Sequence, residues 1–259
     1  MKAITNPISA YRSAHKLLWK KQFWKYLTWP ICISILVSIL FFAAYLAVGD
    51  WMISAVERLF FDEEKIPAWL KALFWIVVLF QFSGPLYVAF RSLVMICFGP
   101  FLDELSVEIE REIKSAEYHA ERTFWESIKR PALMFLITFA LSISVMIAGI
   151  ALGFVPLVGF ILALLLQFPA QMFLSGVSYI DPYLDRAGYA PKASLRAIRQ
   201  HFWGTSAFGV VGLAAQAIPI VGWIIGPTYS VVAGVIYGIQ IEADSPLAKT
   251  MPIPEEAAG

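Results

Sequence analysis

From Pro131 to Ile180 the chain carries no Asp, Glu, Lys or Arg, and the same is true between Arg199 and Glu242. Runs of this length cannot be left in water, and they are the strongest constraint on what this chain can become. A soluble domain is roughly 45–50% apolar and about 25% charged. Here 59% of the 259 residues are hydrophobic, 15% are charged and the mean hydropathy is +0.69. That balance excludes both an ordinary soluble domain and a disordered chain. The expectation is an all-α integral membrane protein.

Four charge-poor stretches organise it. The first, 26–49, is about 36 Å long as a helix, enough to cross a hydrocarbon core of about 30 Å with tilt. The second, 72–98, is interrupted by Arg91, and Gly84-Pro85 at its middle predicts a kink. The third, 131–180, is too long for one crossing and breaks at Gly153-Phe154-Val155-Pro156-Leu157-Val158-Gly159. The fourth, 204–241, repeats the break at Ile218-Pro219-Ile220-Val221-Gly222-Trp223. Pro156 with Gly159 and Pro219 with Gly222 are therefore two copies of one turn, 63 residues apart. Each stretch reads as a helical hairpin. The turns lack charge, so their tips either stay within the membrane as re-entrant structures, satisfied by neighbouring protein, or are tight turns between full crossings. For 131–180 the two readings are balanced. For 204–241 the first arm, Gly204 to Ala217, is only about 21 Å of helix, which favours re-entry.

Charge segregation sets orientation, since basic loops remain cytoplasmic. Residues 1–25 hold Lys2, Arg12, Lys16, Lys20, Lys21 and Lys25 and no acid; the apolar run after them is too long for a signal h-region and reads as a retained anchor. The loop Asp50 to Lys71 is net acidic and belongs outside. Segments 99–130 and 181–203 are rich in Lys and Arg and belong inside, so both termini are expected in the cytoplasm. Phe101, Leu105, Ile109 and Ile113 recur every four residues, the stripe of an amphipathic cytoplasmic helix. Pro100 suits its first turn, with Asp103 and Glu104 complementing the helix dipole. The stripe could serve a vestibule or a subunit contact, but resting on its own bundle is the preferred reading. Residues 1–241 form one domain, and 242–259, with Pro246, Pro252 and Pro254, form a short flexible tail.

Little enzymatic chemistry can be built from these residues. His15, His119 and His201 are far apart, no HExxH, CxxC or phosphate-binding glycine loop occurs, and Cys32 and Cys97 read as small buried hydrophobes. No enzyme activity, cofactor, metal site or nucleic-acid partner is expected. Arg91 is the exception, because ionisable residues inside membrane segments are costly and functional by default. It lies about 29 Å along the second stretch, where it could snorkel to the membrane edge or face an anion. Lys25, with Trp24 and Thr28 beside it, marks a mouth that would concentrate anions. Trp24, Trp29, Trp69, Trp75, Trp203 and Trp223 sit near boundaries as an aromatic belt. Gly204, Gly209, Gly212, Gly222 and Gly226 thin the last hairpin for close helix packing.

Several residues in this frame resemble a known family. Tyr179-x-Asp181-x-x-x-Asp185, Phe208-Gly209, Ile218-Pro219 and Pro227, with Pro100-Phe101, Leu105 and Glu110 upstream, resemble the bacterial CysZ sulfate-permease family and its eukaryotic relatives, the etoposide-induced membrane proteins. The resemblance implies two spanning helices and two partly penetrating hairpins, assembled as a homo-oligomer in the bacterial inner membrane. It also implies passage of sulfate or a related anion into the cytoplasm for cysteine synthesis. The family's sulfate-binding members carry a glycine-containing turn and paired arginines before the first span. Here those positions are Gln22, Phe23, Trp24 and Lys25, and lysine lacks arginine's bidentate fork. That departure leaves a second reading open, a membrane scaffold that moves no solute.

Overall fold

The structure, a computed structural model, describes residues 6–20, 31–32, 35–43, 46–47, 54, 68–114, 124–153, 155, 158–216, 218 and 221–244. Every regular element among them is α-helical: the residues described between 31 and 54 are all helical, and the elements with described bounds are α1 Pro7–Lys20, α2 Ala68–Lys114, α3 Phe124–Gly153, α4 Gly159–Arg186, α5 Pro191–Gln200, α6 Phe202–Gln216 and α7 Val221–Asp244.

The side-chain distribution is that of a protein that dissolves in lipid. The helix α3 buries Met134, Thr138, Ser142 and Met146 at spacings of four and exposes Leu136, Leu141 and Ile147. On α4 the buried stripe is Ala163, Gln167, Gln171, Ser175 and Tyr179, while Ile161, Leu165 and Phe168 face out. Polar groups thus point inward and large apolar groups outward. In water such a surface would forfeit roughly 25 cal/mol for each Å² of apolar area left exposed; against acyl chains it costs nothing. Among the described residues two segments, Ile128–Leu152 and Gly159–Arg186, are long and apolar enough to cross a bilayer.

The architecture is organised around α4, which touches α2, α3, α5, α6 and α7. Small residues let the helices close on it. Gly209 of α6 lies so near α4 that a Cβ there would overlap the Met172 carbonyl oxygen. Next to it, Phe208 is completely buried and packs between Tyr11, at 4.9 Å, and Tyr237, at 5.6 Å between ring centroids. The N-terminal helix begins with Asn6, whose Oδ1 accepts from the Ile8 N–H at 3.0 Å, followed by Pro7 at the first helical position. It buries Ala10, Ala14 and Leu18 against α6 and α7. Its Tyr11 hydroxyl donates to Ser230 Oγ at 3.1 Å, and burial raises the Tyr11 pKa, so the phenol stays neutral.

The two turns inferred from the repeat have the same backbone hydrogen bond. Gly159 N–H donates to the Val155 carbonyl and Gly222 N–H to the Ile218 carbonyl, both at 2.9 Å. Pro156 and Pro219 lie outside the described residues. Gly222 also sits against the Ala215 carbonyl, where a side chain would collide. Pro227 is buried inside α7.

Three expectations need correction. The first is the helix start placed at Pro100: the second span does lead into the following helix, but as one element, because α2 runs unbroken for 47 residues, about 70 Å at 1.5 Å per residue. Pro100 is therefore inside a helix rather than at its start; a proline is tolerated there when neighbouring groups satisfy the freed carbonyl. Gly84 and Pro85 likewise lie within the continuous helix, and both are buried. The stripe residues Leu105 and Ile109 are buried in the protein's own core, with Ile113 packed against it. Second, the last helix extends to Asp244, so the tail begins after the boundary assigned at 242. Third, Cys32 is exposed rather than buried, since its stretch turns an apolar face outward, with Ile35, Leu36, Ile39 and Leu40 also exposed.

Candidate functional site

The buried stripe of α4 forms one wall of a polar seam through the bundle. Gln167, Gln171, Ser175 and Tyr179 recur every four residues, so they lie along one helix face, drifting slowly around it. Opposite, Gly84 of α2 approaches so closely that a Cβ would overlap the amide nitrogens of Gln167 and Gln171. Gln171 Nε2 donates to Ser142 Oγ of α3 at 2.8 Å, while the buried Ser175 hydroxyl has no hydrogen-bond partner.

Two turns beyond Gly84 the seam reaches Arg91. Its side chain is 0% exposed, and its Nε, Nη1 and Nη2 atoms have no hydrogen-bond partner among the described residues. Its guanidinium carbon lies 5.2 Å from the ring centroid of Tyr87 and 5.8 Å from that of Tyr179, within cation–π range. Gln216, at the C-terminal end of α6, ties the two rings together: Tyr87 Oη donates to its Oε1 at 2.5 Å, and its Nε2 donates to Tyr179 Oη. Arg91 is thus a sealed, ring-flanked cation rather than a residue reaching back to the membrane edge. Burying an ion without a counter-charge costs several kcal/mol.

A second buried arginine shows the opposite condition. Arg130 Nη2 donates to Asp181 Oδ1 at 2.8 Å, Nε to Asp181 Oδ2 at 3.2 Å and Nη1 to the Tyr189 carbonyl at 3.1 Å, while Asp185 Oδ1 lies 3.8 Å from Nη1. Ser194 Oγ also donates to Asp181. The loop after α4 supplies this geometry. Gly188, at φ 85°, ends the helix with Gly188 N–H bound to the Asp185 carbonyl and Tyr189 N–H bound to the Leu184 carbonyl, a Schellman closure. Ala190 is extended, and Pro191 then opens α5, which presents Ser194. The result is a clasp that fastens the start of α3 to the end of α4 and to α5. Between clasp and seam, Ser92, Met95, Arg130, Met134, Ser178 and Asp181 line part of a cavity of about 20 Å³, room for one water.

The residues singled out in the sequence fall into three groups. Arg91 lies in the seam, with Tyr179 of the family motif beside it. Asp181 and Asp185 hold Arg130; Phe208, Gly209, Gly159, Gly222 and Pro227 are packing and turn residues. Lys25, Trp24 and Thr28 lie outside the described residues, as do the side chains of Pro100 and Glu110. Among the belt tryptophans, Trp203 is 83% exposed at the start of α6. Arg130, Tyr87, Gln216 and the glutamines of α4 were missed as site residues. Gln167, Gln171 and Ser175 carry a signal in their spacing of four within an uncharged helix; Arg130 was counted only as a cytoplasmic charge. No cluster of His, Cys, Asp and Glu placed to hold a metal occurs among the described residues.

An apolar exterior over a polar seam, with two segments able to cross a bilayer, defines a helical integral membrane protein. The family model described as sulfate transporter CysZ/etoposide-induced protein 2.4 matches residues 10–227, and the chain belongs to that family. The match takes in α1 from Ala10 onward, the seam, the clasp and both turns, and ends at Pro227. Among individually curated proteins, none matches significantly.

Proposed function

We propose that this chain lets a small oxyanion, sulfate or a close relative, pass across a bacterial inner membrane into the cytoplasm for sulfur assimilation, with Arg91 as the anion-binding group. The observation that carries this reading is the Arg91 guanidinium: fully buried, with none of its nitrogens hydrogen-bonded among the described residues. An anion moving through a low-dielectric interior must exchange its water for fixed donors, and arginine supplies five in a planar fork. The contrast with Arg130, whose donors are spent on Asp181 and the Tyr189 carbonyl, separates a binding role from a structural one. The family's description, which names a sulfate transporter, supports the choice of anion. In this reading the chain assembles as a homo-oligomer with both termini cytoplasmic, the turns at Val155 and Ile218 do not emerge fully into water, and Lys25, Trp24 and Thr28 form the cytoplasmic mouth.

The test is uptake of radiolabelled sulfate by proteoliposomes, comparing the wild type with Arg91→Gln and Lys25→Ala beside empty vesicles. Uptake above background, reduced at least about tenfold by Arg91→Gln, is expected; a tenfold loss corresponds to 1.4 kcal/mol of differential interaction. The second reading, a scaffold that moves no solute, draws on the single lysine where sulfate-binding members have paired arginines. It becomes the better account if folded, inserted protein gives no uptake.

A further inference from the structure

We infer that the exposed face of α5 is a docking surface for the headgroups of anionic phospholipids, whose phosphodiester is held by Lys192, Arg196 and Arg199. Arg91 plays no part in it.

The short helix α5 is tied at both ends to the edge of the apolar exterior. Its Ser194 donates to Asp181, the first charged residue after the uncharged run that begins at Pro131. Beyond His201 the chain enters α6, which carries no charge along its length, and Thr205 Oγ1 of α6 donates back to the Ile198 carbonyl at 3.4 Å. Trp203 is exposed at the start of α6, and Trp125 is exposed five residues before Arg130 of the clasp. Tryptophan concentrates at the depth of lipid headgroups, and both of these lie beside the same boundary.

On α5 the two faces differ in kind. Ser194, Ala197 and Ile198 are buried against the bundle. Lys192, Arg196 and Arg199 are exposed, and their spacings of four and three place them on one helix face. The helix contains no acid, and among the described residues none of the three cations has a hydrogen bond or ion pair. The acids of the clasp, Asp181 and Asp185, are turned to Arg130 and Ser194. On α6 the exposed positions that follow are Trp203, Ala207 and Val210, all apolar. A row of free cations thus continues into an apolar strip, which matches a phospholipid, head on α5 and acyl chain along α6, and leaves a soluble acidic partner with nothing to cover the strip. Each arginine can meet a phosphodiester with two parallel N–H groups. A zwitterionic lipid offers the same phosphate with its own ammonium beside it, so net charge decides the preference.

The experiment is native mass spectrometry of the full chain released from micelles doped with phosphatidylglycerol or with phosphatidylcholine of the same acyl chains, with thermal stabilisation by each lipid as a second readout. The wild type is expected to retain phosphatidylglycerol several-fold better. One basic residue at an anionic surface contributes about fivefold, so Arg196→Gln/Arg199→Gln is expected to weaken phosphatidylglycerol retention at least about tenfold and leave phosphatidylcholine unchanged. The charge-matched Arg12→Gln/Lys16→Gln, at exposed positions of α1, is expected to keep the preference. Equal retention of the two lipids by the wild type overturns the inference, whether or not the variants fold. Equal losses in both double variants overturn it in favour of a general attraction to basic residues. Stabilisation by inorganic phosphate that matches phosphatidylglycerol and disappears in Arg196→Gln/Arg199→Gln overturns it in favour of a soluble anion. A smaller oligomer in that variant, with lipid retention unchanged, overturns it in favour of a second copy of the chain.

Discussion

Two arginines, both buried, sit in this molecule in opposite electrostatic states, and their substitutions should behave in opposite ways. Arg130 is held by Asp181, Asp185 and a backbone carbonyl. Removing it in Arg130→Ala leaves a buried carboxylate uncompensated, which should destabilise the protein by about 3–5 kcal/mol, measured by denaturation in mixed micelles. Arg130→Lys should rescue only part of this, since an ammonium cannot reproduce the two-pronged contact with Asp181. Arg91 has no such partner, so Arg91→Met, similar in length and uncharged, should raise the melting temperature of the anion-free protein by about 3–10 °C. Under the proposed role, sulfate should stabilise the wild type and not this variant, whereas a purely structural Arg91 would give neither a rise nor a loss of anion response. Sequence gave access to only half of this contrast. The position of Arg91 along its helix was readable from the rise per residue, but its burial depends on Tyr179 and Gln216, which are brought to it by other helices. The Asp181 and Asp185 spacing was equally visible, while their partner is separated from Asp181 by 51 residues and leaves no periodic trace.

At the scale of elements, the close approach of α6 to α4 rests on Gly209. Gly209→Ala pushes a methyl into the Met172 carbonyl and should cost about 1–3 kcal/mol through displacement of the two backbones. A milder loss, about 1–2 kcal/mol, is expected for Gly188→Ala, whose left-handed φ rather than any neighbour sets the penalty. The turn of the last hairpin is tested by position: a single cysteine at Ile218, in a background without Cys32 and Cys97, should resist a membrane-impermeant maleimide added to either side of sealed vesicles, while the same probe at Val155 decides between the two balanced readings of the first hairpin. Ready labelling of Ile218→Cys from the side opposite the termini would instead make the last hairpin a full crossing. The paired turns were legible because proline and glycine punctuate an otherwise uniform apolar run, and the same spacing of 63 residues recurs in their hydrogen bonds. The extent of α2 was not legible. Pro100, acidic residues just after it and a change from uniformly apolar to amphipathic pattern together resemble a helix start, yet the packing of Leu105 and Ile109 into the core holds one continuous helix across that point.

For the whole molecule, the composition and the charge-free runs made the membrane class readable from the outset, because no arrangement of 59% hydrophobic residues in such blocks can be hidden inside a soluble domain of this size. What composition could not reveal is the inversion of the bundle, polar within and apolar without, since that depends on which face of α3 and α4 meets its neighbours. Assembly belongs to this scale: the reconstituted protein should run as a homo-oligomer in native mass spectrometry, and a strictly monomeric species with full sulfate uptake would confine the pathway to one chain. The long helix α2 adds a mechanical dimension. It continues about 35 Å beyond Arg91, so a shift of about 6 Å at its far end corresponds to a rotation of only about 10° at the guanidinium. Because Leu105 and Ile109 of that stretch lie in the core and Ile113 packs against it, the guanidinium is joined by one stiff rod to packing several turns away, and a strain at either place is felt at the other.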